Sequence, residues 1–227
     1  MADGRNGDTK ATASKKYEIN LATFGKRIKA LYANWKDNKQ EHWSGSESLA
    51  IVTPPPSEDL RYLKSSALHT WLLGYEFPET IMVFLQKQIH VLCSNKKAML
   101  LEELQKSSKE LFGLEVVIHA KARDDDGSSA MQMMLGAISL GKKPNMCVVG
   151  WLPKEAPEGP LMEKWNEVLN QSGFTLVDVS AGLSEIFAVK DEAEIQNIRK
   201  ASFLCASVLQ NYVVHKLEVV IDEEKKI

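Results

Sequence analysis

Apolar residues recur at Leu21, Phe24, Ile28, Leu31 and Trp35, at spacings of three, four, three and four. That stripe predicts an amphipathic helix, and Asn20 stands before it as the cap. The run SLAIVT (48–53) predicts a short buried strand. It is stopped by Pro54, Pro55 and Pro56, none of which can donate to a ladder. A helix SALHTWLL follows, capped by Ser65 or Ser66 and ended by Gly74. ETIMVFLQ and IHVLCS flank Lys87–Gln88 and predict a hairpin.

From there the period alternates. Helix 96–112 leads to strand 114–120, and a loop with Asp124, Asp125, Asp126 and Gly127 leads to a Met-rich helix over 129–139. Strand 145–152 passes through PKEAPEGP to helix 160–171, and strand 174–180 closes the series. Strands alternating with helices predict a layered α/β domain, and the hairpin makes its sheet mixed. That domain is expected over 17–180. The polar, small-residue-rich stretch 1–16 is expected to be disordered.

The segment AGLSEIFAVK then joins the domain to a helix over 191–214. Asp191 followed by Glu194 is a capping box. The first turns are amphipathic, but Phe203, Leu204, Ala206, Val208, Leu209, Tyr212, Val213 and Val214 point almost all round. Such a helix belongs inside a core. No such core follows before Ile227. Region 181–227 therefore reads as a linker plus the opening helix of a further domain. That helix is expected to fold back on the lobe or to pair with another molecule.

Composition narrows the function classes. The chain has 227 residues and a net charge of −2, so no overall positive field favours strong binding of nucleic acid by this domain. No segment reads as a secretory signal or a membrane span. Cys93, Cys147 and Cys205, widely spaced in apolar surroundings, read as reduced, buried thiols.

Candidate chemistry is sparse. GAISLGKK (136–143) has the G-x-x-x-x-G-K spacing of a phosphate loop, but Lys143 replaces the magnesium-holding Ser or Thr. A helix also precedes it where a strand should, so a helix end with Gly141 as cap explains it. Asp124–Asp126 lack calcium-loop spacing. His42, His69, His90, His119 and His215 show no metal-ligand spacing and read as structural or surface residues. Met131, Met133 and Met134 read as gap-fillers on a helix facing the sheet. No G-x-S-x-G elbow appears. The residues alone thus give a fold and no catalytic, metal or cofactor site.

Two stretches carry a resemblance. LSEIFAVKDEAEIQNIRKAS resembles the junction between the two lobes of creatinase, prolidase and aminopeptidase P relatives. Lys190, Glu194, Ile195, Ile198, Arg199, Lys200 and Ala201 make the match; Phe187 and Ala188 stand where the family pattern has an arginine. YLKSSALHTWLLGYEFPETIMVF (62–84) and the ending LEVVIDEEKKI are similar to the large-subunit family of the FACT histone chaperone, a non-catalytic branch of that superfamily. The resemblance spans 17–227. It implies an α/β lobe of the creatinase/prolidase N-terminal type, followed by the first helix of a truncated pita-bread domain. It implies no enzyme activity and no cofactor, since the peptidases' metal ligands lie farther along. It also implies a nuclear, chromosomal domain acting in nucleosome reorganisation during transcription, replication and repair.

The implied partners are histones, H3–H4 or H2A–H2B, bound weakly, and an HMG-box subunit reached through other domains. The alternative is the substrate-gating N-terminal lobe of an Xaa-Pro metallopeptidase. For binding residues, Lys64, Ser65 and Ser66 open a helix whose free N–H groups can meet an acidic or polar peptide group. Trp43, in EHWSGS, reads as an exposed docking aromatic or as packing over the sheet edge.

Overall fold

The computed structural model describes residues 18–57, 62–155 and 158–223. The expected tail at 1–16 lies outside them. The elements are α1 (Leu21–Asp37), β1 (Ser48–Thr53), α2 (Lys64–Leu73), β2 (Thr80–Phe84), β3 (Gln88–Ser94), α3 (Asn95–Phe112) and β4 (Glu115–Lys121). They continue with α4 (Ser128–Ile138), β5 (Val148–Trp151), α5 (Pro160–Gln171), β6 (Thr175–Asp178), α6 (Ser180–Ala188), α7 (Glu192–Val208) and α8 (His215–Asp222).

The strands form one six-stranded sheet in the order β4-β3-β2-β1-β5-β6. β2 runs antiparallel to both β1 and β3, while β1–β5, β5–β6 and β3–β4 are parallel. The hairpin closes tightly, with the Leu85 N–H donating to the Gln88 carbonyl at 2.8 Å. Both faces of the sheet are covered, which is why its central strands read as continuous apolar runs. Ala50, Ile81, Val83, Leu92 and Val149 pack on one face with Met131, Met134 and Ile138 of α4 and Met162, Trp165 and Leu169 of α5. The alternate residues Leu49, Ile51, Phe84 and Val91 belong to the opposite face and are also buried.

Local rules act where the sequence placed them. Asn20 caps α1, its Oδ1 accepting from the Thr23 N–H at 2.9 Å. Gly74 ends α2 at φ 80°, a conformation that glycine adopts without a Cβ penalty. Met131 and Met134 fill the core, while Met133 is exposed.

Several expectations are corrected. Trp43 is fully buried and donates through Nε1 to Asn34 Oδ1 at 2.9 Å, so it is no docking aromatic. Its cover comes partly from α6, which forms where a plain joining segment was expected. A Cβ added to Gly182 of α6 would lie 2.3 Å from the Trp43 ring, so only glycine admits that approach. α4 ends on Ser139, whose N–H bonds the Leu135 carbonyl, and Gly141 follows two residues later with φ 72°. Cys93 and Cys147 are buried, but Cys205 is exposed on α7.

The chain divides into two compact units, Met1–Ile186 and Phe187–Ile227. In the second, the capping box of α7 is complete: the Glu194 N–H donates to Asp191, and the Asp191 N–H donates to Glu194. The helical path passes through a π-helical stretch, Leu209–Val214, and continues as α8 beyond the expected end. Phe203, Leu204, Leu209, Tyr212 and Leu217 are exposed along it.

Candidate functional site

The three candidate binding residues lie at the start of α2, beside the carboxyl end of β1. The helix begins at Lys64, one residue before the expected cap, and Leu63 at the cap position offers no side-chain oxygen. Glu155, from the loop after β5, takes over that role across 90 residues. Its carboxylate accepts from the Lys64 N–H at 2.5 Å, the Ser65 N–H at 3.2 Å and the Ser65 Oγ–H at 2.5 Å. An anion belongs at this end of a helix, where unsatisfied N–H groups and the dipole both favour it. The N–H groups of Lys64 and Ser65, expected to meet a partner, are therefore bonded within the chain. Ser65 is buried and Ser66 half-buried.

Ser66 instead faces a cavity of about 270 Å³ lined with Thr53, Pro54, Pro55, Pro56, Tyr62 and Glu76, among others. The prolines end β1 without offering ladder donors. Tyr62 is 99% exposed on the rim. Glu76 is also exposed, just past the turn that Gly74 makes. The next polar residue, Glu79, sits at φ 48°, held there by a bond from its N–H to the Pro54 carbonyl at 3.1 Å. A non-glycine residue in the left-handed region is uncommon and tends to mark sites where the surroundings fix the backbone. Lys97 reaches the same end and donates to the Pro78 carbonyl. The cavity thus offers a ring, a carboxylate, hydroxyls and proline surfaces, with no nucleophile–base pair.

Behind it, His69 is fully buried. One of its ring nitrogens contacts Thr53 Oγ1 at 3.2 Å, and Phe77 meets its ring edge-on. Burial drives its pKa down to about 4, so it is a neutral core histidine, as the sequence suggested.

A second polar group was invisible in the sequence. The parallel β3–β4 register sets Leu92 opposite His119, so His90 and His119 share a face. Their rings lie near one plane, 16° apart, with His90 Nδ1 and His119 Nε2 at 2.9 Å. One nitrogen must donate and the other accept, so the pair shares a proton. Burial lowers both pKa values, and for His90 the neighbouring His119 adds to the effect. Gln88 and Glu115 extend the chain of polar contacts. Among the described residues, no group of three or more His, Cys, Asp or Glu side chains could hold a metal. Nor is any helix among them long and apolar enough to cross a membrane.

Comparison with known proteins gives a consistent result. The family described as FACT complex subunit SPT16 N-terminal lobe domain matches residues 19–182. The FACT complex subunit SPT16 of Oryza sativa subsp. japonica is 50% identical over all of this chain, and that of Zea mays is 52% identical. The chain spans 22% and 21% of the lengths of those relatives. A solved N-terminal domain of SPT16 from Cicer arietinum superposes with a TM-score of 0.87 at 50% identity, covering 92% of this chain and 48% of that one.

Proposed function

Because this chain belongs to the FACT complex subunit SPT16 N-terminal lobe family, we propose that it is an interaction domain of a nuclear, chromosomal histone chaperone. The domain is not an enzyme. Its work is to hold a segment of histone, from H3–H4 or H2A–H2B, weakly while nucleosomes are taken apart and rebuilt in transcription, replication and repair. The firmer contacts, and the HMG-box subunit, belong to other domains of the full protein.

The observation that carries this reading is the cavity at the carboxyl end of β1. Histone segments are rich in Lys and Arg, and a cation pairs with the exposed Glu76 carboxylate or lies over the exposed Tyr62 ring. Pro54–Pro56 supply a stiff apolar wall, and Ser66 supplies a hydroxyl. Lys64 and Ser65, bonded to Glu155, hold the start of α2, which brings Leu63 and Ser66 to the lining. Exposed ion pairs contribute little each, at about 0–1 kcal/mol, so weak affinity is expected. Family membership leaves the peptidase-lobe alternative without support.

Pull-down of H3–H4 and of H2A–H2B at moderate salt tests the proposal. Wild type should retain one of them, while Glu76→Lys with Tyr62→Ala should lose it with the fold intact. Equal retention by both proteins would place the contact elsewhere, and no retention by either would end the reading.

A further inference from the structure

The opposite end of the sheet carries a different surface. Two neighbouring clefts, of about 580 and 480 Å³, both use Glu47 and Gln86 as lining. They lie at the amino ends of β1, β3, β4 and β5, on the far side of the sheet from the cavity after β1. Five lysines line them: Lys36, Lys39, Lys87, Lys109 and Lys142. The two carboxylates present are already engaged. Glu47 pairs with Lys142 at 2.5 Å and with Lys39 at 3.9 Å. Glu115 pairs with Lys109 at 3.8 Å and accepts from Gln88 at 3.0 Å.

Part of this charge has an ordinary explanation. Lys36 and Lys109 sit in the last turns of α1 and α3, where cations offset the helix dipole. Lys142 lies just past α4. Each helix end is worth roughly half a negative charge, however, so three ends leave the five lysines and two glutamates with a positive surplus. Lys87 is not explained this way at all, since it stands in the turn between β2 and β3. Lys36 and Lys87 are exposed and have no ion pair among the described residues. The chain as a whole is negative, at −2, so the positive field here is local. Between the lysines run apolar surfaces from Tyr32, Leu85, Ile138 and the exposed Leu140.

From this charge pattern we infer that the paired clefts dock an acidic peptide segment carrying an apolar side chain. The apolar residue lies against Leu140 and Ile138, and the flanking carboxylates pair with Lys36 and Lys87. A nucleic acid suits the surface less well, because two carboxylates and three helix carboxyl ends face its phosphates. The inference is independent of the histone reading, which concerns the other end of the sheet and a partner of opposite charge.

The test is fluorescence anisotropy on the full chain with a labelled Glu-rich peptide bearing a central Leu. A Lys-rich counterpart and a single-stranded DNA of equal charge serve as comparison probes. The acidic peptide should bind, and raised salt should weaken it, as expected for exposed charges. Lys36→Glu with Lys87→Glu should weaken binding by about tenfold or more, and Lys36→Gln with Lys87→Gln by less. The matched reversal Lys96→Glu with Lys154→Glu, at the other end of the sheet, should bind as wild type does. Thermal unfolding of each variant confirms its fold. Histone retention should be unchanged in the Lys36 and Lys87 variants. Peptide binding insensitive to those reversals, or DNA binding at least as tight, would overturn the inference.

Discussion

Replacing Glu155 tests how the wall of the β1 cavity is built. In Glu155→Ala, the N–H groups of Lys64 and Ser65 lose their shared acceptor, and so does the buried Ser65 hydroxyl. Loss of a helix cap costs about 0.5–2 kcal/mol. Loss of a hydrogen bond to a charged group costs about 1.5–3 kcal/mol. Glu155 is half-buried, so water replaces part of what is removed. A total near 3 kcal/mol follows from those ranges. For a domain of this size, that corresponds to a Tm lower by about 6–12 °C. Glu155→Gln keeps one acceptor oxygen and should fall between the two. Scanning calorimetry reads the Tm, and concentrated acetate adds a second test. Acetate should raise the Tm of Glu155→Ala by occupying the vacated anion position, and leave wild type unmoved. A loss below about 0.5 kcal/mol, the range of ordinary surface substitutions, would refute the reasoning. So would equal acetate effects on both proteins.

Three further outcomes are expected. His69 has its pKa depressed to about 4 by burial, so the folded state resists a proton that the unfolded state takes near 6.5. Its stabilising contribution is present above about pH 6.5 and is lost as pH falls towards 4, by about 3 kcal/mol in total. His69→Gln should flatten that part of the pH–stability curve; an unchanged slope would count against the assignment. Gly182→Ala should destabilise the first unit by about 1–3 kcal/mol in urea unfolding, because the added methyl meets the Trp43 ring. Titration with a thiol reagent should find one fast cysteine, Cys205, and two that react only on unfolding. Cys93 is the slowest, its thiol pushed up to about 11 by burial.

How much of this was legible depended on whether the cause was local. The stripe of α1, the Pro54–Pro56 stop, the Gly74 cap and the Asp191–Glu194 box each depend on residues within one turn, and each forms as read. The start of α2 misled, because its cap is Glu155 from a loop 90 residues away, where no spacing rule reaches. For Trp43, the polar neighbours EHWSGS leave docking and packing both open, and α6, from much later in the chain, decides for packing by covering it. AGLSEIFAVK predicts only a joining segment, yet most of it lies within α6 with Leu183 and Ile186 buried. The His90–His119 contact needed the parallel pairing of β3 with β4, which periodicity does not specify. Glu76 and Tyr62 fall inside the stretch that carries the family resemblance, but nothing in it marks them for binding, since that role arises only beside the prolines after β1.

The most direct measurement is hydrogen–deuterium exchange of the full chain with and without H3–H4 and H2A–H2B. One histone pair should slow exchange around Thr53–Ser57 and Tyr62–Pro78, at the carboxyl end of β1 and the start of α2. Protection confined to other surfaces, or none with either pair, would contradict the assignment of this end of the sheet as the histone-binding face.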